Sequence, residues 1–157
     1  MRIGLGYDIH RLEKNRDLIL GGVKIPYELG LFGHSDADVL IHSIIDSILG
    51  SIALGDIGAH FPDTDEKYRN IDSSILLKKT LELLKNKGYR IINIDCNIIC
   101  EKPKLRAFID RIRENLSSII EIDKDCISIK AKTNEKQDSI GSNASIAVQA
   151  VVLVDSI

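Results

Sequence analysis

The sequence has few cysteines, few prolines and no long hydrophobic run. Its three cysteines are Cys96, Cys100 and Cys126, and no two of them form a C-x-x-C pair. This scarcity excludes a disulfide framework and favours a reducing compartment, in which the cysteines serve as packing residues. The three prolines are dispersed along the chain, so no proline-rich linker divides it.

Segments that would enter a membrane or direct export are also missing. No run approaches the roughly 20 apolar residues of a membrane span. The opening stretch MRIGLGYDIHRLEKN carries charge early and has no apolar core of signal-peptide length. We therefore expect a cytoplasmic protein with no membrane partner, although a plastid-type transit peptide removed by cleavage would leave no trace.

An excess of basic charge is absent as well. The 21 Lys and Arg residues are balanced by 23 Asp and Glu residues, which gives a net charge of -2. This balance lacks the basic footprint of a nucleic-acid-binding domain. Because the 157 residues also contain no internal repeat and no linker-like run, they predict one domain over residues 1–157.

The apolar residues that are present recur with the periods of strands and helices. Residues 2–10 alternate between an apolar face and a face that carries Asp8 and His10. The patterns predict strands at 2–10, 89–100, 126–133 and 145–154, helices at 39–53, 73–87 and 104–120, and a hairpin around Gly21-Gly22. This order indicates an α+β fold, a mixed four-stranded sheet with helices on one face plus a small hairpin. The other sheet face then needs a cover, for which oligomerisation is the candidate.

Two residues of the first predicted strand suggest a metal site. Asp8 and His10 leave the same face of the strand, roughly 6–7 Å apart at the backbone. His42, on the first predicted helix, would complete the three protein ligands that a catalytic zinc ion requires. Each piece has a plainer interpretation, because most D-x-H triplets are surface residues and a lone histidine in an apolar helix is usually a packing residue.

Three further polar groups are ambiguous in the same way. The run with His34, Asp36, Asp38 and His42 is typical of a capped helix start, but also compatible with a two-metal phosphohydrolase site. The other two groups lie at ends of predicted strands. Lys132, Thr133 and Glu135 suit phosphate and a hard cation such as Mg²⁺, and EKPKLR (101–106) suits an anion or a base edge, yet each is also an ordinary polar turn.

Taken together, five segments resemble the 2-C-methyl-D-erythritol 2,4-cyclodiphosphate synthase family of the non-mevalonate isoprenoid pathway. They are RIGLGYDIH (2–10), GGVKIPYELGLFGHSDADVLIH (21–42), ALGDIGAHFPDTD (53–65), CEKPKL (100–105) and KAKTNEK (130–136). The resemblance runs in order along nearly the whole chain. It implies a homotrimer whose active sites straddle the subunit interfaces.

The resemblance also implies roles for individual residues. It makes Asp8, His10 and His42 the ligands of one zinc ion per subunit, and Glu135 the ligand of a second cation, Mg²⁺ or Mn²⁺. His34 and Thr133 would orient and polarise the reacting phosphates as catalytic residues. The methylerythritol part would contact Asp56, Ile57, Gly58, Phe61, Pro62, Asp63, Thr64 and Asp65. The cytidine pocket would consist of Cys100, Glu101, Lys102, Pro103, Lys104, Leu105, Arg106 and Lys132. Ser35 and Asn134 would be further substrate-binding residues.

The implied reaction is an intramolecular phosphoryl transfer. The 2-phosphate of 4-diphosphocytidyl-2-C-methyl-D-erythritol 2-phosphate attacks the β-phosphorus of its own diphosphate, and CMP leaves. Many family members have Phe and Arg near the positions of Ser139 and Ser142, so an isoprenoid diphosphate ligand on the trimer axis is not implied here. The remaining alternatives are the two-metal phosphohydrolase and a trimeric binding module without catalytic activity.

Overall fold

A long first strand organises the structure, a computed structural model that describes residues 1–157. This strand, β1 (Arg2–Lys14), begins where the alternation predicts and continues four residues beyond it. The remaining strands are β2 (Leu18–Leu20), β3 (Val23–Ile25), β4 (Leu29–Leu31), β5 (Tyr89–Ile99), β6 (Ile127–Lys132) and β7 (Ser145–Ser156). The helices are α1 (Val39–Ser51), α2 (Ile57–His60), α3 (Ser73–Asn86), α4 (Ile109–Ile120) and α5 (Asp138–Gly141).

The main sheet is mixed, with the strand order β4-β1-β7-β5-β6, and β2 and β3 form the predicted hairpin. Only β5 and β6 pair in parallel; the other neighbours are antiparallel. The prediction of four strands was wrong by one. β4, at the sheet edge, pairs with the end of β1 at Leu12–Lys14, and three residues are too few to show a strand period.

Two further differences concern helices. The predicted helix at 104–120 begins as a 3-10 turn over Arg106–Phe108 and becomes α-helical only from Ile109. The predicted loop after α1 contains the short helix α2, whose first turn is capped by the Asp56 carboxylate. Neither short segment has enough turns to produce a helical period. No helix of the fold has the length and apolarity that crossing a bilayer requires.

The helix α1 packs directly on the sheet because two glycines of β1 face it. A Cβ atom added to Gly4 would lie 1.8 Å from the Ser47 carbonyl oxygen, and one added to Gly6 would lie 1.9 Å from that of Ser43. No side chain larger than hydrogen fits at either position. This close approach brings α1 against the strand that carries Asp8 and His10, and so positions His42.

The opposite face of the sheet is open. The apolar side chains of β1 that point away from α1 are exposed: Ile3, Leu5, Tyr7 and Ile9, with exposures from 40 to 70%. Val151 and Leu153 of β7 pair with Leu5 and Ile3 and extend the same apolar surface. The expectation of an uncovered sheet face is therefore confirmed, and the face is largest and most apolar along β1 and β7.

Candidate metal and substrate site

Three side chains meet where β1 passes under α1. The Nε2 atom of His10 lies 2.8 Å from Oδ2 of Asp8 and 3.3 Å from Nδ1 of His42. The Nδ1 atom of His42 lies 3.1 Å from the same Asp8 oxygen. Asp8 and His10 therefore share one face, as the D-x-H spacing predicts, and His42 of the helix converges on the same point. These three are the one group of His, Cys, Asp and Glu side chains that offers three ligand atoms to an ion.

Each of the three side chains is held through its other polar atom. His10 Nδ1 donates to the Phe32 carbonyl oxygen over 2.7 Å, so the lone pair of the neutral ring is on Nε2. Asp8 Oδ1 accepts from the Ile9 N–H over 2.8 Å. His42 Nε2 contacts the hydroxyl oxygens of Ser35 and Ser73 at 3.2 and 3.0 Å. These contacts aim Oδ2, Nε2 and Nδ1 at each other.

The donor set fits a zinc ion. At zinc–ligand distances near 2.0–2.1 Å and tetrahedral angles, neighbouring ligand atoms stand about 3.3 Å apart. The separations between the three atoms, 2.8, 3.1 and 3.3 Å, are close to this value. Two imidazole nitrogens and one carboxylate oxygen are also ligands that zinc prefers, and three protein ligands leave the fourth position for a substrate atom.

The short distances within the cluster also shift the pKa values of Asp8 and His10. Burial disfavours the charged form of Asp8, but the neighbouring His10 and His42 rings outweigh this effect and hold the pKa of Asp8 well below its usual range. Burial likewise favours neutral His10, and the bond to Asp8 outweighs it and raises the pKa of His10. A carboxylate that stays ionised is what a cation site requires.

A cavity of about 1190 Å³ opens beside the cluster. Besides the three cluster residues, its walls include these predicted site residues: His34, Ser35, Ile57, Gly58, Phe61, Pro62, Asp63 and Thr64. The Nε2 atom of His34 is buried and has no hydrogen-bond partner. Because a buried polar atom without a partner is costly, this nitrogen is suited to a bound ligand.

Two predicted contact residues do not reach this wall. The Asp56 carboxylate accepts from the Ala59 N–H and caps α2. The Asp65 carboxylate accepts from the Lys67 N–H and forms an ion pair of 2.6 Å with the Lys67 ammonium. Within one chain, both acids shape the loop rather than line the cavity.

Three residues of the site were not predicted from the sequence. Arg16 lines the cavity and donates to the Ser35 carbonyl oxygen over 2.9 Å, so it brings a fixed cation to the site. Asp46 accepts from the Ile57 N–H over 2.7 Å; burial raises its pKa, against that hydrogen bond. Ser73 contacts His42. Of these three, only Asp46 could have been found from the sequence, because its i, i+4 spacing from His42 puts it on the same helix face.

The structure argues against the two-metal phosphohydrolase. The carboxylate of Asp38 caps α1 and accepts from the backbone N–H groups of Gly21, Gly22, Leu40 and Ile41. That of Asp36 accepts from the Ser73 N–H and hydroxyl. Both acids are committed to the fold, so the run from His34 to His42 offers no free carboxylate for a pair of metal ions.

A second cavity, of about 630 Å³, lies at the carboxyl ends of the parallel strands β5 and β6. The predicted cytidine-pocket residues in its wall are Cys100, Pro103, Lys104, Leu105, Arg106 and Lys132, together with Thr133. Glu101 and Lys102 do not line it. The Glu101 carboxylate instead accepts from the backbone N–H groups of Asn134 and Lys136, both at 3.1 Å.

Glu101 thereby shapes the turn that carries Glu135. Both Glu135 and Lys136 have positive φ angles, 50° and 61°. The Thr133 hydroxyl donates to the Glu135 carboxylate over 2.9 Å. The predicted second-cation ligand and the predicted catalytic threonine are therefore in contact with each other at the end of β6.

The two cavities of one chain share no lining residue. Ile9 and Ile99 both pair with Ala147, and Ile99 pairs with Lys132, so these residues form one row across the sheet. Since β7 and β5 separate β1 from β6, the ends of this row stand about 14 Å apart at the usual strand spacing. One chain alone does not bring Thr133 to the Asp8, His10 and His42 cluster.

Comparison with known proteins shows the family to which the chain belongs. The model of the YgbB family matches residues 1–155. The chain belongs to the YgbB family. A relative from Brachyspira hyodysenteriae, a 2-C-methyl-D-erythritol 2,4-cyclodiphosphate synthase, is 61% identical over 154 residues that make up 98% of each protein. These matches confirm the resemblance inferred from the motifs.

Solved structures of YgbB-like proteins have the same fold. The bifunctional IspDF of Campylobacter jejuni matches with a TM-score of 0.96 and 40% identity over 99% of this chain, which spans 42% of that longer protein. A 2C-methyl-D-erythritol-2,4-cyclodiphosphate synthase in a form with bound CDP matches with a TM-score of 0.91 and 34% identity, over 98% of this chain and 100% of that one. The α+β fold of this chain is thus shared with both of these proteins.

Proposed function

We propose that the chain is a single catalytic domain that converts 4-diphosphocytidyl-2-C-methyl-D-erythritol 2-phosphate into the 2,4-cyclodiphosphate and CMP. The observation that carries this proposal is the convergence of Asp8, His10 and His42 at the edge of one cavity. The wall of this cavity includes residues between Ile57 and Thr64, which are predicted to contact the methylerythritol part of the substrate. The names of similar proteins, which state the 2,4-cyclodiphosphate as the product, support the same reaction. No protein nucleophile is needed, since the substrate supplies both reacting groups.

The bonds made and broken balance within the substrate. An oxygen of the 2-phosphate bonds to the β-phosphorus, and the bond from that phosphorus to the bridging oxygen breaks, so that the electron pair leaves with CMP. Holding both groups in one cavity makes the attack intramolecular, an advantage worth up to about 7–11 kcal/mol. The chain's task is then to position two phosphates and to offset their negative charge.

The side chains divide this task. Asp8, His10 and His42 would hold Zn²⁺, whose open position supplies a Lewis acid for a phosphate oxygen. His34 and Arg16, both in the cavity wall, are placed to donate to phosphate oxygens. Thr133 and Glu135 would act on the diphosphate from the other side, with Glu135 as the ligand of a second cation, Mg²⁺ or Mn²⁺.

A shared site between two copies of the chain follows from the separation of the two cavities. Within one subunit, the backbone positions of Ile9 and Lys132, next to the metal cluster and to Thr133, stand about 14 Å apart, which is too far for one diphosphate to span. The apolar face of β1 and β7 offers the surface on which copies would associate. We propose a homotrimer. In it, the second cavity of one subunit, which is lined by Lys104 and Lys132, lies against the cavity beside the Asp8, His10 and His42 cluster of its neighbour, and the two complete one site.

The proposal is tested by measuring zinc content and CMP release together. The zinc-loaded protein should release CMP from the cytidylated substrate in the presence of Mg²⁺. His10→Ala should lose both zinc and activity while its circular dichroism spectrum is retained, because one of three ligands is gone. Glu135→Ala should keep its zinc and lose activity, since only the second cation is affected.

Two results would contradict the proposal. A wild-type protein that binds zinc but releases no CMP would exclude the reaction. Loss of zinc in Glu135→Ala, with zinc retained in His10→Ala, would show that the two metal sites have been assigned to the wrong residues.

A further inference from the structure

A chain of buried hydrogen bonds connects His42 to the start of α3. The Nε2 atom of His42 lies 3.0 Å from the Ser73 hydroxyl oxygen. The Ser73 hydroxyl lies 2.5 Å from Oδ1 of Asp36, and Oδ2 of Asp36 accepts from the Ser73 N–H over 3.0 Å. Ser73 is completely buried. None of the roles proposed above involves Asp36 or Ser73.

The direction of each hydrogen bond follows from the backbone N–H groups, which can only donate. Both oxygens of Asp36 accept from backbone N–H groups, Oδ1 from Asp38 and Oδ2 from Ser73. Asp36 is therefore the acceptor, and the Ser73 hydroxyl gives its only proton to it. The Ser73 oxygen can then only accept from His42, which requires the proton of the neutral imidazole to be on Nε2.

We infer that Asp36 and Ser73 are positioning residues that hold His42 in the Nε2–H tautomer, so that its Nδ1 lone pair faces Asp8 Oδ2 and His10 Nε2. This inference rests on the proposed metal site, which it deepens. Partners behind a metal-binding histidine fix its tautomer and ring orientation, and losing one typically weakens metal binding 10- to 100-fold.

Ser35 has a smaller part in this arrangement. Its hydroxyl oxygen lies 3.2 Å from the same His42 nitrogen, but it also accepts from the Ala37 N–H over 3.1 Å. No group of fixed direction takes its proton, so Ser35 accommodates either tautomer of His42. The constraint comes from Asp36 through Ser73.

The test measures zinc affinity by competition with a chromophoric chelator, on the full chain. Ser73→Ala and the isosteric Asp36→Asn should each bind zinc 10- to 100-fold more weakly than the wild type. Asn in place of Asp36 removes one acceptor, so it cannot serve both the N–H and the hydroxyl of Ser73. Ser51→Ala is the matched control, since its buried hydroxyl bonds only to the Ile48 carbonyl oxygen and contacts no site residue.

A second measurement separates positioning from general loss of stability. The chain has four histidines, so ¹⁵N-histidine NMR spectra of the metal-free protein should resolve the ring of His42. We expect Nε2 of His42 to carry a proton in the wild type and in Ser51→Ala, whether or not Nδ1 also donates to Asp8. In Ser73→Ala and Asp36→Asn we expect a mixture that includes the form protonated on Nδ1 alone.

The outcomes distinguish the inference from the proposed function. If the wild type binds no zinc, the metal site itself is wrong. If the wild type binds zinc, and Ser73→Ala and Asp36→Asn match Ser51→Ala in both affinity and tautomer, only the positioning role is overturned. If Ser73→Ala fails to fold, the test rests on Asp36→Asn, because asparagine has nearly the same size and shape as aspartate.

Discussion

At the scale of single residues, the site depends on side chains whose second polar atom is already engaged. His10 bonds to the Phe32 carbonyl, Asp8 to the Ile9 N–H, and His42 to Ser73. Each bond removes a rotational or tautomeric freedom that an ion would otherwise have to suppress on binding. The cluster is thus arranged for a cation before one arrives.

The reactivity of the cysteines tests, at the residue scale, the prediction that Cys96 and Cys100 are buried and unreactive. Burial raises the pKa of Cys96 to about 12 and that of Cys100 to about 11, whereas Cys126 is partly exposed. At pH 8 the buried thiols are ionised in only about one molecule in a thousand or fewer, so they should not react. Ellman's reagent should label one thiol quickly in the native protein.

The variant Cys126→Ser is the control for this labelling. It should abolish the fast reaction and leave two thiols that react only after denaturation. Rapid labelling of two thiols in the native protein would show that Cys96 or Cys100 is accessible and reactive.

Much of the site was predictable at this scale, because strand alternation puts Asp8 and His10 on one face whatever the rest of the chain does. His42 was a candidate ligand from its place on the first predicted helix, but only the family motifs favoured it over a packing residue, since nothing local indicates which strand a helix residue will face. Ser73 and Arg16 were not predictable. Ser73 reaches His42 through contacts 31 residues apart in sequence, and no sequence period reports such contacts.

At the scale of elements, the packing of α1 on β1 controls the geometry of the site. Gly4 and Gly6 let the helix backbone approach the strand, which brings His42 within 3.1 Å of Asp8. The long, strongly periodic elements were predicted to within a few residues, whereas β4, α2 and α5 were not. Segments of three or four residues show no period, and tertiary contacts decide their conformation.

A glycine replacement tests this packing. Gly6→Ala would place a methyl group 1.9 Å from the Ser43 carbonyl oxygen, so α1 must move away from β1. We expect a loss of about 3 kcal/mol in the free energy of unfolding, measured by urea denaturation, together with weaker zinc binding.

The matched control for this replacement is Gly50→Ala, on the helix itself. Its added Cβ meets nothing closer than the Leu5 carbonyl oxygen at 3.9 Å. Because alanine favours the helix, this variant should be as stable as the wild type or more stable by up to about 1 kcal/mol. Equal stability of the two variants would contradict the close packing of α1 on β1.

At the scale of the whole molecule, the chain has two features that the proposed association would explain together. Its open sheet face carries Ile3 and Leu5 with 69% and 70% exposure. Its two cavities hold complementary parts of one predicted site, on strands too far apart to act on the same phosphate. Copies that pack through the open face would bury the apolar surface and provide a second cavity for each metal cluster.

Sedimentation equilibrium tests the proposed assembly. The wild type should have three times the chain mass of 17.4 kDa. Leu5→Asp should shift the protein towards the monomer, because it puts a charge into the apolar surface that the trimer would bury. Ile75→Asp alters another exposed apolar residue, 44% exposed and outside the open face, and should leave the trimer intact. A monomeric wild type would contradict the assembly.

The most direct test of the central claim is the identity of the reaction product. Zinc-loaded protein with Mg²⁺ and 4-diphosphocytidyl-2-C-methyl-D-erythritol 2-phosphate should be followed by ³¹P NMR. We expect CMP to appear with an equal amount of a cyclic diphosphate, recognised by two mutually coupled phosphorus signals, and neither should form with His42→Ala. Inorganic phosphate in place of the cyclic product, or no change in the substrate, would contradict the proposed function.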